Sequence, residues 1–349
     1  MPQSPLVALH EAAGAALSDR GGWTVPEAYG ALDAGLQAAR AGAIVADLSW
    51  VDVLDLQAPE LRRWANGMFT NNIKRLGSGR GNRNAMCDDR GRVQGLLDLY
   101  CLDDQHFIAV LDGVDAGWFE ERYRMFLILD DIEVDPRPDD RIVLTVQGPA
   151  AASAVEAAGL PAPAVDRAHE AGPDGIRVAR RDRFGHGGFD LLVPAAQAAA
   201  VWAALTAAGA LPVGTQTLDA ARVLAGRAQW PEDGTDKSMV HELRYNEDVC
   251  AFDKGCYVGQ EVINRIDVKG AINKRLTGIL LDQPVPVGAE ATGEDGKVVG
   301  RVTSVAVIGD QTFGLGVLRK THWEPGAAVT VAGADGPVGG RVAELPFAR

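Results

Sequence analysis

Cysteine is scarce in this chain of 349 residues, which carries four, at positions 87, 101, 250 and 256. No CxxC pair and no zinc spacing links them, so the pattern is not that of a disulfide framework and offers no obvious four-thiolate cluster site. The pattern fits a reducing compartment, the cytosol. Histidine is scarce too: the six are scattered, none at metal-ligand spacing with another, and no metal site is expected. His186, between two glycines, reads as a turn residue. Basic residues are outnumbered 34 to 47, giving a net charge of −13 and a pI near 4.9. The basic footprint that nucleic-acid binding needs is therefore missing. Long apolar runs are missing as well. Residues 191–218 carry no charge and are long enough to span a bilayer, but Pro194 and Pro212 bracket an alanine-dominated stretch. It reads as an Ala-rich helix against a sheet, stopped near Gly209, and no membrane partner is expected. The first residues lack a basic start, and Glu11 interrupts them, so no targeting segment is expected either.

What remains is a large apolar supply, 47% of residues, in a chain too long for a single core. Gln57 to Asn72 reads as an amphipathic helix with Leu61, Trp64, Ala65, Met68 and Phe69 on one stripe and Arg62, Arg63 and Asn66 facing out. Ile142 to Val146 reads as a strand ending in a Gly148-Pro149 turn. Pro149 to Gly159 and Pro194 to Gly209 read as helices, each with proline in front and glycine behind. Asp130 to Arg141, rich in Asp and Pro, reads as a surface loop. After Lys274 helical periodicity disappears. Leu276–Leu281, Val298–Ile308, Thr312–Leu318 and Ala327–Val331 are short β-type runs between Gly-rich turns, the pattern of a small antiparallel barrel or sandwich. The expected division is therefore 1–274, an α+β region, and 275–349, a β domain.

The most informative stretch is Lys254-Gly255-Cys256-Tyr257-Val258-Gly259-Gln260-Glu261. Its glycines permit a tight turn or a close approach to a ligand. A neighbouring cation such as Lys254 favours a thiolate, the reactive form of cysteine. Val258, Val262, Ile263 and Ile266 follow at helical spacing, placing Cys256 in a turn near a helix start, whose dipole would lower the thiol pKa further. The plainer reading is a small buried cysteine between packing glycines.

The octet resembles the signature of the YgfZ branch of the YgfZ/GcvT family, tetrahydrofolate-binding proteins that support iron–sulfur cluster assembly or repair. Leu218 to Gly226 is similar to the family's helix leading to the folate site, and Glu242 to Asn246 to its approach to the motif. Asp47-Leu48-Ser49 and Phe69-Thr70-Asn71-Asn72 resemble its opening strand and helix, and Leu345-Pro346-Phe347 its closing strand. Gly187 to Pro194 resembles the strand that supplies an acidic residue to the pterin. The resemblance implies a GcvT-like fold, two mixed α/β subdomains plus a C-terminal antiparallel β-barrel, with tetrahydrofolate or a one-carbon derivative in a central cleft. It implies Cys256 as the reactive group, with Asn72, Asp190, Arg222, Lys254, Gly255, Tyr257, Gly259, Gln260, Glu261 and Arg265 at or near the folate. Arg222 has two readings, a contact to the folate glutamate or an ion pair with Asp219 or Glu242. The implied partners are iron–sulfur client or assembly proteins, including enzymes that modify tRNA.

The aminomethyltransferase branch resembles the chain in fold, but carries aspartate where Cys256 stands and a basic residue where Gln260 stands. It also uses an acid after a Gly-rich turn, where this chain has Gln94 and Gly95. Strand alternation puts the nearby Asp98 on a polar face. Glutamine cannot take a proton or stabilise positive charge as a carboxylate does. A folate-dependent aminomethyltransferase is thus the alternative function, and a non-catalytic folate-sensing adaptor a third. The resemblance also gives the basic Gly-rich segment 74–92 a use. Its six basic residues, Arg80 and Arg83 among them, either form a solvated loop pair or meet the anionic tail of a folate polyglutamate. The second basic segment, 254–275, surrounds the cysteine motif and either attracts a carboxylate-bearing ligand or forms an ordinary charged helix face with Glu261–Arg265 pairing.

Overall fold

The β-branched run Ile142–Gln147 becomes a fully buried strand in a six-stranded sheet. The structure, a computed structural model, describes residues 3–270 and 272–347. Its chain divides into two compact units. One holds the segment up to Asn66, Asn72–Arg83 and Leu97–Leu218; the other holds Gly67–Asn71, Asn84–Leu96 and the segment from Asp219 onward.

In the first unit the sheet runs in the order His169–Ala171, Arg177–Arg180, Gly188–Val193, Ile142–Gln147, Ile44–Asp47, Leu211–Pro212. Only its last pairing is parallel. Asp190 is paired in register with Thr145 on one side and Ala179 on the other, so it occupies the middle of the sheet. The Ala-rich stretch forms a helix, Ala195–Ala207, whose Ala198, Val201, Trp202 and Leu205 pack against Leu144, Val146, Leu191 and Val193. No helix among the described residues is long and apolar enough to cross a membrane. A five-stranded sheet orders Arg80–Cys87, Val93–Cys101, His106–Asp112, Val53–Gln57 and Glu133–Pro136.

The second unit contains a closed six-strand barrel in the order Lys274–Leu281, Gln311–Arg319, Val298–Ile308, Glu290–Thr292, Ala328–Gly333, Gly336–Ala343. Ile279, Leu281, Ala291, Val302, Val331 and Val342 are buried in its core. Its closing strand, Gly336–Ala343, was invisible to propensity because it reads GPVGGRVA, yet it pairs with strands on both sides. Leu345-Pro346-Phe347, expected as that strand, is instead a bend. There the Phe347 N–H donates to Leu224 O at 3.0 Å and the ring packs edge-on to Phe313.

Four further expectations are corrected. The helix expected over 57–72 is only Leu61–Met68. Asn66 is buried rather than outward, because its side-chain oxygen accepts from the N–H groups of Ile73 and Lys74 and holds the turn that follows. The loop 130–141 contains an edge strand, Glu133–Pro136. The flexible loop pair at 74–92 is largely the strand Arg80–Cys87, with Gly81 pressed against the Tyr100 ring.

Candidate functional site

In the second unit the octet joins a short helix, Asn246–Val249, to a longer one, Gln260–Lys269. Gly259 precedes the longer helix at φ 83°. A Cβ there would lie 2.6 Å from Asp88 O and 2.8 Å from Gly91 Cα, so glycine is demanded twice, by conformation and by close approach. The loop is fastened to residues 67–71. Ala251 N–H donates to Thr70 O and Val258 N–H to Gly67 O, both at 3.1 Å. The Thr70 hydroxyl donates to Val249 O and accepts from Ala85 N–H. The Lys254 ammonium donates to the carbonyls of Phe69 and Asn71, each at 2.6 Å, and lies 4.8 Å from the Tyr257 ring centroid.

Tyr257 turns inward and Cys256 outward. Tyr257 is buried with Cys87, Val93, Val240, Tyr245 and Ile263, and its hydroxyl has no hydrogen-bond partner among the described residues. Cys256 is exposed, which corrects the reading of a buried packing residue. It lies four residues before the helix starts, beyond the first turn where the dipole acts. Cys250, ten residues after Val240 in the same core, has its thiol pushed up to about 12 by burial. Gln260 donates to Lys254 O at 3.4 Å, and Glu261 and Arg265 are exposed on the helix.

Arg222, in the same unit, binds Asp233 at 2.8 Å, Ser304 Oγ at 2.9 Å and Asp219 at 3.4 Å. The ion-pair reading therefore holds for Asp219. Glu242 faces Lys274 at 3.6 Å and accepts from Met239 N–H instead.

In the first unit Asp190 is buried and taken by the Arg183 guanidinium as a fork, at 3.0 and 2.6 Å. Asp98, expected on a polar face, is buried because both faces of its strand are covered. Three guanidiniums converge on it: Arg83 and Arg181 at 3.1 Å, and Arg167. Burial by itself would raise its pKa. Arg181, Arg167 and Arg83 outweigh that and hold it below the usual carboxylate range. The Arg181 guanidinium is lowered to about 10 by burial and by Arg167. Arg83 also binds Asp112, so it is not a loop cation awaiting an anionic tail. The Tyr100 hydroxyl, buried without a hydrogen-bond partner among the described residues, lies in the field of Asp98 and Asp190. Gln94, which belongs to the second unit, is half-buried and its amide donates to Val93 O. Asn72 accepts from Asn82 and Arg75 and belongs to the first unit, like Asp190.

The structure thus gathers Lys254, Gly255, Cys256, Tyr257, Gly259, Gln260, Glu261 and Arg265 into one loop and helix, with Arg222 in the same unit. Arg167, Arg181 and Arg183 escaped sequence reasoning, although the cluster Arg180-Arg181-Asp182-Arg183 was a signal. Among the described residues no group of three His, Cys, Asp or Glu side chains is placed to hold a metal ion.

Two family models match. The GCVT N-terminal domain covers residues 6–254 and the glycine cleavage T-protein C-terminal barrel domain covers 274–348. An aminomethyltransferase of Desulforamulus reducens is 26% identical over 368 residues, covering 99% of this chain and 98% of its own. One from Ralstonia pickettii is 31% identical over 254 residues, covering 67% of each. The crystal structure of the glycine cleavage system aminomethyltransferase T from Bartonella henselae shares the fold, with TM-score 0.90 at 22% identity over 99% of this chain and 98% of that one.

Proposed function

The chain belongs to the glycine cleavage T-protein family, and on that premise we propose that it binds a tetrahydrofolate and acts in folate-dependent aminomethyl transfer. The observation that carries the reading is the likeness to aminomethyltransferases along nearly the whole length of both chains. One residue has the chemistry a pterin calls for. Its donor edge needs a carboxylate, and Asp190, oriented by the Arg183 fork, has two oxygens with lone pairs beyond those the fork uses. When bound, the folate supplies the amine that accepts the one-carbon unit.

Two observations favour a second reading, a folate-binding protein of the YgfZ type that supports iron–sulfur clusters in client proteins. Asp98 is already compensated by three guanidiniums and has no charge to spare for a developing cation. Cys256 is exposed on a fastened loop, so its thiol is open to a cluster or a disulfide.

Calorimetry with tetrahydrofolate tests the shared premise. Wild type is expected to bind, and Asp190→Asn to bind about tenfold more weakly, the worth of one charged hydrogen bond. No binding by wild type overturns both readings. Formation of methylenetetrahydrofolate from an aminomethyl-lipoyl donor then supports transfer. Folate binding without turnover, together with failure of Cys256→Ala to restore a [4Fe–4S] enzyme in cells lacking their own copy, supports the second reading.

A further inference from the structure

The helix Ala116–Leu129 buries Phe119 and Tyr123 on one face, but at its C-terminal end the pattern fails. Met125, Ile128 and Leu129 are 70%, 73% and 74% exposed, and Phe126 is 41% exposed. A cluster of large apolar side chains in water marks an interaction surface more often than chance exposure. The electrostatics of this end are also wrong for an isolated helix. No basic residue lies in the last turn, and Asp130 and Asp131 follow it directly, Asp131 at φ 52°. Carboxylates at the negative end of a helix dipole are unfavourable.

Beside the helix lies Glu133–Pro136, the outermost strand of its five-stranded sheet. Glu133, Asp135 and Pro136 blunt that edge against addition of another strand. Between helix and strand runs a groove of about 380 Å³ lined by Glu120, Glu121, Arg124, Ile128, Ile132 and Val134.

We propose that this groove docks a basic, amphipathic segment of another protein. Apolar side chains of the partner cover Met125, Ile128 and Leu129, and its Lys or Arg residues meet the carboxylates around them. Charge complementarity selects the occupant. Between positions 120 and 135 the rim carries Glu120, Glu121, Asp130, Asp131, Glu133 and Asp135 against Arg122 and Arg124. Arg63 pairs with Asp130 at 3.3 Å and Arg124 with Glu121 at 3.4 Å, and an excess of carboxylates remains on the rim. A second copy of this chain would bring the same carboxylates face to face, and an anionic membrane would be repelled. A cationic partner relieves the carboxylates and the helix end together.

The test uses two dye-labelled amphipathic peptides, one of Leu and Lys, the other of Leu and Glu, titrated in fluorescence anisotropy with the whole protein. The double variant Ile128→Asp/Leu129→Asp changes exposed positions only, and circular dichroism checks its fold. Wild type is expected to bind the Leu–Lys peptide, with hydrogen-exchange protection confined to 116–136, and the double variant about tenfold more weakly. The variant adds negative charge, so attraction by net charge alone would tighten binding. Unchanged or tighter binding overturns the proposal, as does equal affinity for the Leu–Glu peptide. Reversible dimers in sedimentation, or flotation with phosphatidylserine vesicles, if lost in the variant, would overturn it in favour of a second copy or a membrane.

Discussion

Asp98 and Asp233 pose the same problem in the two units and receive opposite solutions. Each is a buried carboxylate. Asp98, in the first unit, is met by three guanidiniums. Asp233, in the second, is met by one guanidinium, Arg222, and by neutral donors: the Gln229 N–H at 2.9 Å and the hydroxyls of Ser304 and Thr303. Neutral donors stabilise a carboxylate without needing it in return. Guanidiniums need it, because each is itself a buried charge. The first arrangement is therefore brittle and the second tolerant.

Asparagine substitution breaks or upholds that comparison. Asp98→Asn keeps the shape but removes the anion between three arginines, and is expected to cost about 4 kcal/mol, as breaking a buried pair does. Asp233→Asn strands one guanidinium and keeps an oxygen for the neutral donors, so about 2 kcal/mol is expected. Urea unfolding of both variants measures this through the midpoint at a comparable slope. A loss at Asp98 no larger than that at Asp233 would show that the arginines find water or one another's partners when the carboxylate goes.

The first unit's dependence on fixed charge extends to His169. Its Nδ1 accepts from Arg177 at 2.8 Å, so Nε2 carries the hydrogen and donates to Cys101 O at 3.0 Å. A second proton would have to face a guanidinium. Burial first, and Arg177 second, lower the pKa to about 4. The unfolded chain takes that proton near pH 6.5, so this contribution to stability is complete above 6.5 and is lost as pH falls from 6.5 toward 4. Between pH 7 and pH 5 the loss is about 2 kcal/mol. His169→Gln, which keeps a donor for Cys101, is expected to flatten the decline in thermal midpoint over that range. An equally steep decline would place the sensitive group elsewhere.

Neutral fastening in the second unit predicts a smaller effect. Lys254→Met removes two hydrogen bonds to carbonyls at a half-buried site, and about 1 kcal/mol of local stability is expected to go. Faster hydrogen exchange at 250–259, without a comparable change in the barrel, would register it.

Much of this was legible in sequence where side-chain pattern and burial agree. The barrel strands after Lys274, the helix Ala195–Ala207 and the strand Ile142–Gln147 all announce themselves by composition. The barrel's closing strand did not, because register against two neighbours overrides the poor propensity of its glycines. The octet was legible as a motif and its geometry was not. A lysine two positions from a cysteine suggests an activated thiol, whereas tertiary structure gives that lysine two carbonyls to hold. Asp98 was misread for the same reason. Period-2 alternation separates faces but does not say that both are covered, and only the fold brings Arg167 and Arg181 from distant strands and turns to a carboxylate on another.

The thiols sharpen the contrast last, with almost no cost in stability. With a chromogenic disulfide such as dithiobisnitrobenzoate, Cys256 is expected to react in the folded protein, because it is exposed. Cys250 is expected to react only on unfolding, since burial pushes its thiol up to about 12 and leaves almost no thiolate at neutral pH. The informative comparison is the Cys256 rate in wild type and in Lys254→Met. Where the ammonium serves the Phe69 and Asn71 carbonyls and not the thiol, the two rates agree within about twofold. A rate several-fold slower in the variant, with the loop still protected from exchange, would return Lys254 to the role its place in the octet suggested. The lysine would then be both clamp and activator, and the fastening of the loop would be part of its chemistry.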